Sequence, residues 1–272
     1  MAYHGRASSV HVSGEPVRRP QGIVRAPDGQ YLLHPSRQLD YELELGFWVG
    51  PGNPAGSPID IDGAEASIFG VVLLNDWSAR DVQAAEALPL GPFLGKNFLT
   101  TVSPWIITME ALEPFRCALP RAAEDPPALP HLRPVDPQQG FDIQLEAWLQ
   151  PAGGAQATRL SRSSFRHGHW SMAQMLTHHT EGGCPMRPGD LLGTGTQSGP
   201  GEGEQGCLLE LSRGGTLPVN LADGSTRTFL EDGDTLVLRA CAERKDRARI
   251  GFGDCVGTVV AHSEVAAAIS DG

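Results

Sequence analysis

The amino-acid sequence predicts a mainly β fold of the β-rich α+β kind, and three observations predict it. Glycine and proline are abundant, 33 and 22 among 272 residues, and both interrupt regular structure. Few stretches hold a helical apolar period for long. Several short segments instead alternate with period two or run apolar without a break, the patterns of half-buried and fully buried strands.

The first clear strand covers 41–49, YELELGFWV, where Tyr41, Leu43, Leu45 and Phe47 share one face and Glu42 and Glu44 the other. The turn-rich PGNPAGSP follows, then a short helix over 62–68. FGVVLL at 69–74 reads as a buried strand that delivers Asn75 and Asp76 at its end. Residues 78–87, SARDVQAAEA, form a helix that Ser78 can cap and that PLGP at 89–92 stops. The proline-rich 117–140 is an extended surface excursion, and DIQLEAWL at 142–149 resumes strand alternation. Trp170, Met172, Met175 and Leu176 fit one face of a helix over 170–180, with Gly182-Gly183 as its stop. Strands are expected again at 207–212, 235–242 and 250–260. There is no internal repeat, and nothing divides two cores, so 1–272 is read as one domain.

With 40% hydrophobic residues the chain can bury a sizeable core. A net charge of −11 leaves no basic footprint for nucleic acid and disfavours anionic membranes, so a small molecule or another protein is the expected partner. The start, MAYHGRASSV, has no signal-peptide core and no run is long enough to span a membrane, which points to the cytoplasm. Five scattered cysteines without a C-x-x-C pair read as buried thiols in a reducing compartment.

Chemistry concentrates in a few places. Glu42 and Glu44, two apart on a strand, point to the same side and can grip one divalent cation, although alternate glutamates also describe a solvated strand face. Asp76 ends a buried strand and must reach water, a cation or a metal. Arg80 and Asp81 read as a surface ion pair or as site residues, and Lys96 in GPFLGKNF is a lone cation in an apolar loop that could snorkel to solvent. An all-oxygen set of Glu42, Glu44 and Asp76 favours Ca²⁺ or Mg²⁺ over zinc. His167, His169, His178 and His179 are expected in core and backbone hydrogen bonds, since adjacent histidines on a helix diverge. GTGTQSGPGEGEQG at 193–206 offers main-chain N–H groups and Thr196 for a carboxylate or oxyanion, while Glu210 in CLLELS faces either solvent or a cleft.

Seven ordered blocks, YHGRASSVHVSG, LDYELELGFWVGPGN, FGVVLLNDWSARDVQ, PLGPFLGKNFLTTVSPW, LTHH, RPGDLLGTGTQSGP and IGFGDCVG, resemble the catalytic C-terminal part of the fumarylacetoacetase family. The resemblance implies a mixed β-sandwich roll, a homodimer, and hydrolysis of the carbon–carbon bond of a 1,3-diketo acid. The substrate it implies is fumarylacetoacetate, cleaved to fumarate and acetoacetate at the end of tyrosine and phenylalanine breakdown. By matching motif, Glu42, Glu44 and Asp76 would hold Ca²⁺, and Asp76, Lys96 and Thr100 would stand at a Mg²⁺. Tyr3, Gln83 and Thr196 would touch substrate, Arg80 and Lys96 would line the site and stabilise charge, and Glu210 would orient a catalytic histidine.

Two departures accompany the match. In the family, the base histidine and one further Asp ligand lie upstream of the YHGRASS block, so the expectation is a fragment of a longer enzyme, truncated at its N-terminal edge. Ala87 stands where the family has a tyrosine that touches substrate. The rival readings are an acylpyruvate hydrolase or keto-acid decarboxylase on the same fold, and a non-catalytic metal-binding remnant.

Overall fold

The alternation at 41–49 becomes the middle of a sheet. In the computed structural model, which describes residues 3–121, 124–134, 136–154 and 156–262, Leu43–Val49 is the strand, with Leu39–Asp40 a separate short strand before it. Leu43–Val49 lies between Ile68–Asp76 and Leu191–Gly193, and the sheet continues through Thr100–Val102 to Val10–Val12, with Ile107–Thr108 also on Ile68–Asp76. Pairing is antiparallel except for Val10–Val12, which runs parallel to Thr100–Val102.

A second sheet runs Thr158–Ser164, Ile143–Gln150, Thr235–Ala242, Cys255–Val260 and Val17–Arg18, the last pair parallel. The two sheets face one apolar core. Leu43, Leu45 and Phe47 enter it from the first sheet, and Ile143, Leu145, Leu149, Leu236 and Leu238 from the second. The expected mainly β class holds, with mixed sheets. Among the described residues no helix is long and apolar enough to cross a membrane.

The register carries the functional consequence. Leu43 pairs with Asn75 and Glu44 with Leu74, so the start of one strand lies against the end of the other. Asp76 in turn pairs with Thr100. Carboxylates 32 and 34 residues apart in sequence, Glu44 and Glu42 against Asp76, are thereby brought to the same end of two neighbouring central strands.

Several expected elements are corrected. The 207–212 segment is a helical turn, Leu208–Leu211, whose main-chain N–H groups at Leu208 and Leu209 bind the Asp40 carboxylate; the Leu/Glu alternation mimicked a strand. The helix expected over 62–68 is Ile61–Ala64 followed by a 3₁₀ turn, Glu65–Ser67. Ser78 caps nothing: Ser78–Ala79 pairs with Leu39–Asp40, and the helix is Arg80–Glu86. Trp170 lies outside its helix, Met172–Thr180, which Ser171 and Gln174 close with a capping box. The proline-rich excursion leaves and returns through paired strands, Arg116–Cys117 with Gly140–Phe141, and apart from residues 122, 123 and 135, which lie outside the described residues, it contains one 3₁₀ turn, Pro130–Leu132. Of the cysteines, Cys207 and Cys255 are buried and Cys117, Cys184 and Cys241 half-buried, all of them free.

Gly257 marks the closest approach in the core: a Cβ there would lie 2.5 Å from Trp77 Cζ2 and 2.6 Å from Val17 Cγ2. Trp77 is fully buried and its indole N–H is held by Thr101 Oγ1 at 2.8 Å, so it cannot retreat freely. Gly257→Ala is therefore expected to destabilise by about 1–3 kcal/mol, read as a lower urea midpoint at unchanged slope; an unchanged midpoint would show that the tryptophan yields without cost.

Candidate metal centre

The face of the Leu43–Val49 strand opposite the core is not solvated. Glu42 and Glu44 are 9% and 4% exposed, and Asp76, on the neighbouring strand, 5%. Carboxylate oxygens of these three residues lie within 4.8 Å of one another, a grouping able to hold a metal ion. The reading of Glu42 and Glu44 as a water-facing strand edge is overturned by their burial.

Two cations sit among the acids. Lys96 Nζ is 2.6 Å from Glu42 Oε2 and 2.8 Å from Asp76 Oδ2, and at 3% exposure it does not snorkel to solvent. Its loop is built to deliver it: the Glu86 carboxylate accepts the main-chain N–H groups of Phe93, Leu94 and Gly95 at 2.7, 3.1 and 2.6 Å. Arg80 is likewise buried and does not pair with Asp81, which instead accepts from Ser36 Oγ and the N–H of Arg37. Arg80 Nη1 reaches Glu42 Oε1 at 2.6 Å and Gln83 Oε1 at 3.2 Å, while Nε and Nη2 both reach Asp40 Oδ2 at 2.9 Å.

Tyr3, from the N-terminal segment, donates its hydroxyl to Asp76, 2.6 Å from Oδ1 and 2.7 Å from Oδ2. Thr100 stands beside Asp76 through strand pairing. Thr196 is half-buried in the glycine-rich loop, whose Gly195 N–H donates to Glu44 Oε2 at 2.9 Å. Gly193 lets that loop pass, because a Cβ there would lie 2.8 Å from the same oxygen. Glu210 is exposed and accepts from Ser198 Oγ and, at 3.3 Å, from the N–H of Gly206; its link to the acidic cluster is indirect, through the Leu208–Leu211 turn.

The histidines stand apart. Against expectation, His169, His178 and His179 are exposed and His167 half-buried, and among the described residues the one metal-capable group is all carboxylate. Sequence reasoning missed Asp40. It continues the i, i+2 spacing of Glu42 and Glu44, and that period was the signal that could have found it.

Charge explains what the cluster can do. Burial pushes the Glu44 carboxyl well above its ordinary range, and the negative Asp76 and Glu42 push it further. Burial raises Asp76 too, against the pull of Lys96. Glu42 goes the other way, because Lys96 and Arg80 together outweigh its burial. Burial would lower Lys96, but Asp76 and Glu42 hold it above the usual ammonium range. Burial and the Asp76 charge raise Tyr3, which therefore stays a hydroxyl donor. Asp40, Glu42, Glu44 and Asp76 against Lys96 and Arg80 leave two negative charges unbalanced when all are ionised, the charge that one divalent cation matches. An all-oxygen donor set of this sign fits a hard cation.

Comparison with known proteins places this geometry in a family. The sequence model described as fumarylacetoacetate (FAA) hydrolase C-terminal matches residues 1–260. Fumarylacetoacetase of Oryza sativa subsp. japonica is 49% identical over 261 residues, 96% of this chain and 60% of that protein. Fumarylacetoacetase of Homo sapiens is 50% identical over 261 residues, 96% of this chain and 61% of that protein. The chain thus spans about three fifths of the length of these curated relatives. A solved fumarylacetoacetate hydrolase from Exiguobacterium antarcticum superposes with a TM-score of 0.55 at 20% identity, covering 93% of this chain and 64% of that one, and so shares the fold.

Two outcomes test the charge analysis. Lys96→Met leaves Glu42 and Asp76 without their shared ammonium, so in a chelator it is expected to cost about 3–5 kcal/mol of stability, part of which added Ca²⁺ or Mg²⁺ restores; equal stability with and without cation would contradict this. A cation must displace the proton that the raised Glu44 pKa retains. Without metal, Glu44 stabilises the fold most below its unfolded pKa and loses that contribution as pH rises, whereas cation binding strengthens with pH. The melting-temperature gain from Ca²⁺ should therefore be larger at pH 8 than at pH 5.5, and a gain independent of pH would count against a protonated Glu44.

Proposed function

The chain belongs to the fumarylacetoacetate hydrolase C-terminal family, and from that premise we propose that its acidic centre serves the hydrolysis of fumarylacetoacetate to fumarate and acetoacetate. The observation that carries the reading is the buried meeting of Glu42, Glu44 and Asp76 with Lys96, Arg80 and Tyr3 at one end of two neighbouring central strands. Such a centre matches a substrate with two carbonyl oxygens in 1,3 relation and a leaving enolate. The near 50% identity to proteins named fumarylacetoacetase supports the choice of substrate.

In this reading Glu42, Glu44 and Asp76 hold Ca²⁺. Asp76, Lys96 and Thr100 would stand at a Mg²⁺. When bound, the cation supplies Lewis acidity to the diketo oxygens. The protein's own groups do the rest. Lys96 Nζ and Arg80 Nη1, both buried, present positive charge where negative charge develops as the bond breaks. Tyr3, held as a neutral hydroxyl, together with Gln83 and Thr196, orients the substrate. Glu210, which here accepts from Ser198 Oγ and the Gly206 N–H, would orient the base histidine that the family carries upstream of the YHGRASS block, as the acid of a triad does. The resemblance extends the reading to a cytoplasmic homodimer acting at the end of tyrosine and phenylalanine breakdown.

The test follows loss of fumarylacetoacetate absorbance with Ca²⁺ and Mg²⁺ present, on this chain and on a form extended upstream in its reading frame. Turnover is expected to fall by about 10²-fold or more in Glu44→Gln, with loss of Ca²⁺ binding by calorimetry. No turnover of fumarylacetoacetate in either form, with a simpler acylpyruvate cleaved instead, would replace the substrate assignment.

A further inference from the structure

Asp40 is the most heavily engaged carboxylate near the centre, and no role follows for it from the metal grouping. It is 0% exposed. Oδ1 accepts the N–H groups of Tyr41 and Leu208, both at 2.8 Å. Oδ2 accepts the Leu209 N–H at 3.0 Å and both Nε and Nη2 of Arg80 at 2.9 Å. Its two oxygens thus receive five donors from three separate stretches of chain. Burial pushes its carboxyl up, opposed by the Arg80 charge and the two backbone donors of the turn.

We infer that Asp40 is a positioning residue that fixes the Arg80 guanidinium and the turn carrying Glu210 relative to each other, and so sets how strongly Glu42 can grip a cation. By taking Nε and Nη2, Asp40 leaves Arg80 with only Nη1 to offer to Glu42 and Gln83. It also neutralises much of a charge that would otherwise bear wholly on Glu42, which already carries Lys96. The same carboxylate pins Leu208 and Leu209, one and two residues before Glu210. A guanidinium suits this duty because its rigid fork can serve two acids in fixed directions, as an ammonium cannot.

The experiment measures Ca²⁺ affinity by titration calorimetry, beside melting temperature, for Asp40→Asn, Arg80→Lys and Leu149→Ala. Asparagine keeps the shape but turns a donor toward Leu209 and Arg80, and lysine keeps the charge but loses the fork. Both are expected to weaken Ca²⁺ binding by about tenfold or more. Leu149, fully buried in the core on the second sheet, is outside the proposed network, and Leu149→Ala should lower the melting temperature while leaving the Ca²⁺ affinity within about twofold. Should Asp40→Asn fail to fold, Arg80→Lys carries the test. Wild-type affinity in a folded Asp40→Asn or in Arg80→Lys, or an equal loss in Leu149→Ala, overturns the inference. The catalytic part rests on the proposed reaction: kcat is expected to fall more than KM changes in Asp40→Asn. An inactive parent protein would defeat that reaction while the Ca²⁺ affinities still decide the role of Asp40.

Discussion

Four buried carboxylates packed around two buried cations are the constraint on which the rest of this molecule depends. Each acid removed from water costs several kcal/mol unless it is paired and its remaining lone pairs are filled. Asp40 and Glu42 meet that condition through Arg80, Lys96 and main-chain N–H groups. Glu44 and Asp76 are left with less, a Gly195 N–H for one and Tyr3 with a share of Lys96 for the other. The surplus of negative charge falls on these two less-compensated acids, both of them pushed up by burial. Folding and the assembly of this charge are therefore one problem here, since the same register that completes the core brings the acids together.

The first sheet solves this problem with strands buried on both faces. Leu43, Leu45 and Phe47 anchor one side of their strand in the core, which fixes the register so that Glu42 and Glu44 cannot slip away from Asp76. A one-residue shift would drive glutamates into the apolar core and expose leucines. Apolar packing thus enforces the position of the acids, and it does so from the opposite face of the same strand.

That division explains how much was legible in the sequence. The period-two pattern at 41–49 and the apolar run ending at Asp76 disclosed the two key strands, because burial on one face leaves a mark at every second residue. Whether the second face was wet or buried was not legible, since Glu42 and Glu44 look the same in either case and only a partner strand decides. Arg80 and Lys96 read as surface charges for a similar reason: their partners, Asp40, Glu42 and Asp76, lie 20 to 54 residues away. Glu210 read as a strand residue because a four-residue turn is too short to show helical period, and its start is held by a distant side chain instead of a local cap.

The net charge of −11 also has an internal meaning that composition alone could not convey. The loops that carry the site are rich in glycine and proline, so they have few side chains with which to pack. Carboxylates hold them by accepting main-chain N–H groups: Glu86 for Phe93, Leu94 and Gly95, Asp40 for Leu208 and Leu209, Glu204 for Gly201, and Asp81 for Arg37. Bonds from a charged acceptor are roughly twice as strong as neutral ones and are directional, which suits irregular backbone that no core surface can shape. The acidity of this chain is in part the scaffold of its loops, and the acidic centre is the place where carboxylates gather closely enough to be able to hold an ion of opposite charge.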